Sequence, residues 1–214
     1  MRKADHYYIL AKKAGYRSRA AYKLKELNNR FNLMKRGDIV IDLGAAPGGW
    51  MQVAREVVGE AGLVIGVDIA KIKPLPWDNV KTLRLDVTLP STVEAVKKQL
   101  PREADVVLSD LSPKVTGVWE VDSTRQALLA RSALSIAIRT LRKDGRFVVK
   151  LFQGAEATKF VEEVKKFFNR VKLTKPKASR KGSAEIYVVA LGFKGQLEEP
   201  FRLGDEPQPV PLSC

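Results

Sequence analysis

The stretch DIVIDLGAAPGGWMQV, Asp38–Val53, decides the fold. Ile39, Val40, Ile41 and Leu43 make an apolar run of strand length, the pattern of a strand buried on both faces. The run empties into Gly44-Ala45-Ala46-Pro47-Gly48-Gly49, and a helical segment follows to Val58. Strand, glycine turn and helix open an α/β unit whose turn leaves N–H groups free at a helix N-terminus. The same rhythm continues outward. Leu63–Ile69, Val80–Val87, Ala104–Asp110 and Arg146–Phe152 read as strands. Helices are predicted over Ser91–Leu100, where Ser91 and Glu94 form a capping box, over Ser123–Arg142, and over Ala155–Phe168. Val171–Lys175 and Glu185–Phe193 close the chain as a strand pair. Upstream, a helix from Ser18 carries the stripe Ala20, Leu24, Leu27 and Phe31, and residues 1–15 read as a basic arm. The predicted class is α/β, a mostly parallel sheet with helices on both faces.

The turn narrows the ligand. A dinucleotide fingerprint needs G-x-G-x-x-G and a P-loop needs Gly-Lys-Ser/Thr; Gly44–Gly49 satisfies neither. An acid, Asp42, opens the turn and suits a cation better than a pyrophosphate. Asp68 ends the next strand, 20 residues after Gly48, where a carboxylate accepts ribose hydroxyls. Asp86 ends the third, where it reaches an adenine amino group. Gly44 and Gly48 let such a ligand approach the backbone. S-adenosylmethionine, with its amino group, sulfonium and adenosine, fits this set. The turn alone would suit any α/β protein; the acids at successive strand ends favour the nucleoside.

Charge points to a polyanion. The 214 residues carry a formal net charge of +14. Residues 1–36 hold eleven Lys and Arg against Asp5 and Glu26, and residues 165–182 hold eight with no acid. The tail from 195 to 214 is net acidic and holds four of the eleven prolines. Two concentrated basic segments beside a neutral core suit nucleic acid better than a generally solvated surface. Arg17, Arg19, Lys25 and Arg30 from the first segment and Lys177, Arg180 and Lys181 from the second are the expected phosphate contacts. The expected layout is a basic arm and helix (1–36), a catalytic region (37–194) and an acidic tail (195–214). No run approaches the ~20 apolar residues of a membrane span, and no apolar leader follows Met1, so a cytoplasmic protein is expected. Cys214 is the only cysteine and His6 the only histidine. That excludes an internal disulfide, argues against a metal centre and leaves no Ser-His-Asp triad.

VVKLFQG, Val148–Gly154, places a lysine inside a buried run. A lysine is almost never buried without a partner. Ligands of open α/β sheets bind at the carboxyl ends of the strands, and three more charged residues belong there. Asp110 ends the fourth strand; Glu185 starts the last, which reaches the same edge if it is antiparallel; Lys23 comes from the basic helix. Alone, Lys150 would be a lysine snorkelling from a strand end. With three partners it reads as a site. Methylation of pyrimidine carbon-5 would need a cysteine nucleophile, and the aromatic of an exocyclic-amine motif is missing after Asp110-Leu111-Ser112-Pro113.

These motifs resemble the FtsJ/RrmJ family of RNA 2′-O-ribose methyltransferases across roughly residues 15–193. The resemblance implies a Rossmann-like methyltransferase fold, a seven-stranded mostly parallel sheet with its last strand antiparallel. It maps a Lys-Asp-Lys-Glu tetrad onto Lys23, Asp110, Lys150 and Glu185, and S-adenosylmethionine contacts onto Gly48, Trp50, Asp68, Asp86 and Asp110. The implied substrate is a uridine of large-subunit ribosomal RNA; transfer RNA and messenger-RNA caps are the alternatives within this chemistry. A non-catalytic RNA-binding assembly factor and a dinucleotide oxidoreductase are the rivals outside it. RNA capture is expected to rest on the two basic segments, with a monomer and no metal. Lys150 has two open roles, as proton acceptor or as a charged group steering the nucleophile's lone pair. Trp119, in a predicted loop 114–122, is left between stacking on a base and ordinary packing.

Overall fold

The computed structural model describes residues 6–180 and 182–195; Lys181 and the acidic tail beyond Gly195 lie outside the described residues. The deciding strand forms as β1 (Ile39–Leu43), buried at all five positions. Helix α3 (Gly49–Val58) follows directly. The other strands are β2 (Leu63–Asp68), β3 (Val80–Arg84), β4 (Ala104–Ser109), β5 (Leu141–Phe152), β6 (Phe168–Thr174) and β7 (Glu185–Phe193). They form one sheet in the order β3-β2-β1-β4-β5-β7-β6. The pairs from β3 to β5 are parallel, and β7 runs antiparallel to both β5 and β6. The seven strands and the antiparallel last strand agree with the expected fold.

Helices α1 (His6–Lys13), α2 (Ala21–Phe31) and α3 cover one face; α4 (Ser91–Lys97), α5 (Trp119–Thr140) and α6 (Ala155–Phe167) cover the other. Alternation along β5 divides the core. Phe147, Val149 and Leu151 face α5 and α6, while Val148 joins Val40, Val106 and Tyr187 on the α2–α3 side. Strand order reverses between β1 and β4, so a crevice opens at their carboxyl ends.

Several local expectations are corrected. The basic arm contains α1, whose Tyr7 ring lies 5.7 Å from Tyr22 of α2. Helix α2 begins at Ala21, after a turn over Ser18–Ala20. The capping box is not made: Pro90 already has helical dihedrals, so Ser91 falls inside the first turn and no side chain caps the helix. Strand β3 stops at Arg84, leaving Asp86 two residues beyond it. Helix α5 begins at Trp119, four residues earlier than expected. Asp122 accepts from Thr116 N (2.8 Å), Thr116 Oγ1 (2.8 Å) and Gly117 N (3.0 Å), tying the preceding loop to the new helix. Helix α5 ends at Thr140, and β5 runs through Asp144, which takes the left-handed φ of 62° where a helix stop was expected.

Candidate active site

Four elements bring the expected tetrad into contact at the carboxyl edge of the sheet. Asp110 is the first residue after β4, and its N–H donates to Leu43 O (3.1 Å), which ties it to β1. Lys150 lies opposite Tyr187 in the β5–β7 register, and Glu185 is two residues before Tyr187 on the same strand face. Lys23 comes from the first turn of α2. Lys150 Nζ donates to the Asp110 carbonyl (2.9 Å) and sits 3.3 Å from Asp110 Oδ1 and 3.7 Å from Glu185 Oε1. Lys23 Nζ lies 3.0 Å from Glu185 Oε2. The lysines are nearly fully enclosed, at 4% and 7% exposure for Lys150 and Lys23. Two lysines set against two acids is what makes that burial tolerable. Burial pushes the Glu185 carboxyl up, but Lys23 first and Lys150 second outweigh it, and the group stays below the usual range.

Tyr187 joins the four and was not singled out from sequence. Its hydroxyl donates to Asp110 Oδ1 (2.7 Å) and accepts from Lys23 Nζ (3.3 Å). Burial, then the Asp110 charge, push the phenol well above its ordinary value, so it remains a donor. Its signal was the spacing: on a strand, Glu185-x-Tyr187 puts both side chains on one face. Gln126 of α5 was also missed; its amide donates to Lys150 O (2.9 Å) and Leu111 O (3.2 Å), bracing both backbones.

The glycine turn abuts this cluster. A cleft lined by Ser18, Gly44, Ala46, Gly49, Trp50 and Asp110 joins the two. The turn leaves no room for side chains. A Cβ on Gly44 would stand 3.0 Å from Leu111, one on Gly49 2.3 Å from Ser18 Oγ, and Gly44 and Gly48 have φ of 77° and 112°. Asp42 is fully buried and both its carboxylate oxygens lack a partner among the described residues. Burial, then the charges of Asp110 and Asp68, push its pKa well above the usual carboxylate range. An unpartnered acid beside two others is a site short of a cation, and an amino or sulfonium group fits it. Asp68 accepts from Ala46 N (2.9 Å) and Ala70 N (2.8 Å), so it also shapes the turn. Asp86 Oδ1 accepts from Thr88 N and Oγ1, forming a local turn. Trp50 is buried, donates to Ala20 O (2.8 Å) and packs 5.9 Å from the Tyr187 ring, so it buttresses the cluster as well as lining the cleft.

The two basic segments meet. Arg19 donates to Ala178 O, Arg30 Nη1 to Thr174 Oγ1 (2.8 Å), and Lys177 N to Glu26 Oε2 (2.8 Å). The side chains of Lys177 and Arg180 are exposed beside them. Two expected phosphate contacts are engaged elsewhere. Arg17 donates to the carbonyls of Pro47, Lys73 and Pro74, clamping the glycine turn. Lys25 pairs with Glu56 (3.2 Å) over the Tyr16 ring. Among the described residues no group of His, Cys, Asp and Glu is placed to hold a metal ion, and no helix is long and apolar enough to cross a membrane.

Comparison with known proteins agrees with this geometry. A family model described as FtsJ-like methyltransferase matches residues 16–193. Ribosomal RNA large subunit methyltransferase E of Methanococcus maripaludis is 49% identical over 195 residues, covering 91% of this chain and 76% of the relative. The Methanocaldococcus jannaschii protein of the same name is 49% identical over 198 residues, covering 91% and 81%. A solved ribosomal RNA methyltransferase structure from Plasmodium falciparum has a TM-score of 0.76 at 29% identity, covering 85% of this chain and 100% of that one. The family match takes in the glycine turn and every member of the charged cluster: the chain belongs to the FtsJ-like methyltransferase family.

Proposed function

We propose that the protein is an S-adenosylmethionine-dependent RNA 2′-O-ribose methyltransferase, acting in the cytoplasm on a uridine of large-subunit ribosomal RNA. The observation that carries this is the contact of Lys23, Asp110, Lys150, Glu185 and Tyr187 at the mouth of the glycine-turn cleft. The names of the archaeal relatives support the ribosomal substrate.

When bound, S-adenosylmethionine supplies a methyl group on a sulfonium. Asp42 faces its cationic end, and Asp68 and Asp86 hold the nucleoside. A ribose hydroxyl is a weak nucleophile. It needs alignment with the methyl carbon and a place for its proton as the new bond forms. Lys150, entering the step as its neutral amine, is the group we assign to receive that proton and leave as the ammonium. Asp110 holds its Nζ through both the carbonyl and the carboxylate. Lys23, set by Glu185 and Tyr187, donates toward the attacking oxygen and fixes its lone pair. The exposed Lys177 and Arg180, beside Arg19 and Arg30, take the RNA backbone and position the strand without reading its sequence.

Labelled methyl transfer to purified large ribosomal subunits, free ribosomal RNA and transfer RNA tests this, with Lys150→Ala as control. Label on a ribose of the large subunit, lost in the variant, is expected. Label in transfer RNA alone would move the substrate and keep the chemistry. RNA binding with no transfer to any pool would leave a binding protein.

A further inference from the structure

A groove of about 390 Å³ opens at the same edge of the sheet, on the face opposite Lys150. Its walls are Gln153, Gly154 and Thr158 from the β5–α6 junction and Leu173 and Lys175 from the end of β6; Ile186 forms its floor. That volume lies within the roughly 300–1,000 Å³ of small-molecule clefts. Leu173 is 53% exposed, unusual for a leucine in a strand. Trp119 borders the groove across Gly154. A Cβ on Gly154 would stand 4.0 Å from Trp119 Cζ2, and the φ of 141° there keeps the position free of a side chain. The indole is 46% exposed and lies over Phe152 with ring centres 6.0 Å apart and planes 23° apart. Asp122 fixes the loop leading into it. Trp119 is therefore a rigid, half-open aromatic surface that no core packing explains.

The groove is continuous with the proposed reaction site. Phe152 is the register partner of Glu185, Ile186 follows Glu185, and Gln153 N donates to Ala184 O (2.9 Å) at the strand tips between the two faces. One wall belongs to the basic segment, where Lys175 lines the groove and is exposed. An aromatic platform and an apolar slot with a lysine on its wall match an unpaired nucleotide: a flat base and a phosphate. Resting on the RNA-methyltransferase reading, we propose that Trp119 and this groove bind the base of a nucleotide next to the methylated one. The strand then runs over the β5–β7 tips: the reacting ribose lies at Lys150, and its neighbour's base lies on Trp119, over Phe152 opposite Glu185, and reaches past Gly154 toward the groove. Stacking, with Gln153 and Thr158 at the edge, makes this a place where sequence context is read.

The test uses a short oligouridylate and the same oligomer with abasic riboses. Binding of the base-bearing probe should quench tryptophan fluorescence, and Trp119→Phe should remove the quench while keeping affinity within a few fold. Trp119→Ala and Leu173→Ala should each weaken that probe, the former by about 5- to 150-fold. Neither should change the affinity of the abasic probe or of S-adenosylmethionine. On large subunits, Trp119→Ala should raise KM for RNA with little change in kcat. Equal loss on both probes with S-adenosylmethionine affinity retained would mean a purely electrostatic surface, and unchanged affinity in both alanine variants would mean an unused groove; either overturns the proposal. A wild-type protein that transfers no methyl would sink the function instead, and the fluorescence arm would still decide the groove.

Discussion

Replacing Tyr187 with phenylalanine removes one oxygen from the centre of the charged cluster and leaves the ring in place. Two bonds disappear: the 2.7 Å donation to Asp110 Oδ1 and the 3.3 Å acceptance from Lys23 Nζ. The first is short, part-buried and charge-assisted, a class worth about 1.5–3 kcal/mol. The second is long and adds little. No cavity larger than the lost hydroxyl forms, so the stability cost should be about 1.5–3 kcal/mol, several degrees in Tm for a domain of this size. The kinetic effect follows from what Asp110 does next. Its nearest remaining side-chain donor is Lys150 at 3.3 Å, so the carboxylate swings toward that amine, and Lys23 loses the contact that aims it. If half of the lost energy had aligned the reacting groups, methyl transfer slows about 3- to 10-fold at each 0.7–1.4 kcal/mol. Single-turnover transfer, with RNA and S-adenosylmethionine both saturating, reads that step without product release. A Tyr187→Phe protein that melts earlier yet transfers at the wild-type rate would refute the reasoning: the hydroxyl would then serve the fold alone.

The Asp42 carboxyl is raised by burial and by Asp110 and Asp68, so its contribution to stability is present at low pH and is lost as pH rises through the raised value. Asp42→Asn should therefore raise the Tm of the ligand-free protein relative to wild type, by more as pH rises, while weakening S-adenosylmethionine; a Tm difference that does not grow with pH in thermal melts would contradict this. RNA affinity should fall steeply with salt, and Arg180→Ala should lower the slope of log affinity against log salt concentration by about one contact, roughly 0.7–0.9. An unchanged slope would remove Arg180 from the phosphate track.

What could be read in advance and what could not divides on a physical line. A strand buried in a parallel sheet is mostly apolar, so Ile39–Leu43 announces itself around Asp42, and a lysine in such a run, as at Lys150, stands out for the same reason. The geometry of the turn follows from its glycines, since a Cβ at Gly44 or Gly49 has nowhere to go. Tyr187 offers no such contradiction. A tyrosine in a strand is ordinary, and its role appears only once β7 is set against β5 in the register that places it opposite Lys150. Charge is similarly ambiguous before folding. Arg17 and Arg180 look alike in composition, yet one donates to three carbonyls around the turn and the other stays exposed. Helix starts failed where a neighbour took over the capping work: Pro90 was already helical ahead of Ser91, and Asp122 turned back to hold the loop before Trp119. That last displacement matters most, because it moves Trp119 from a loose loop to the first residue of a helix. There its exposed ring has a fixed orientation over Phe152, beside a groove at the edge where the RNA is proposed to lie.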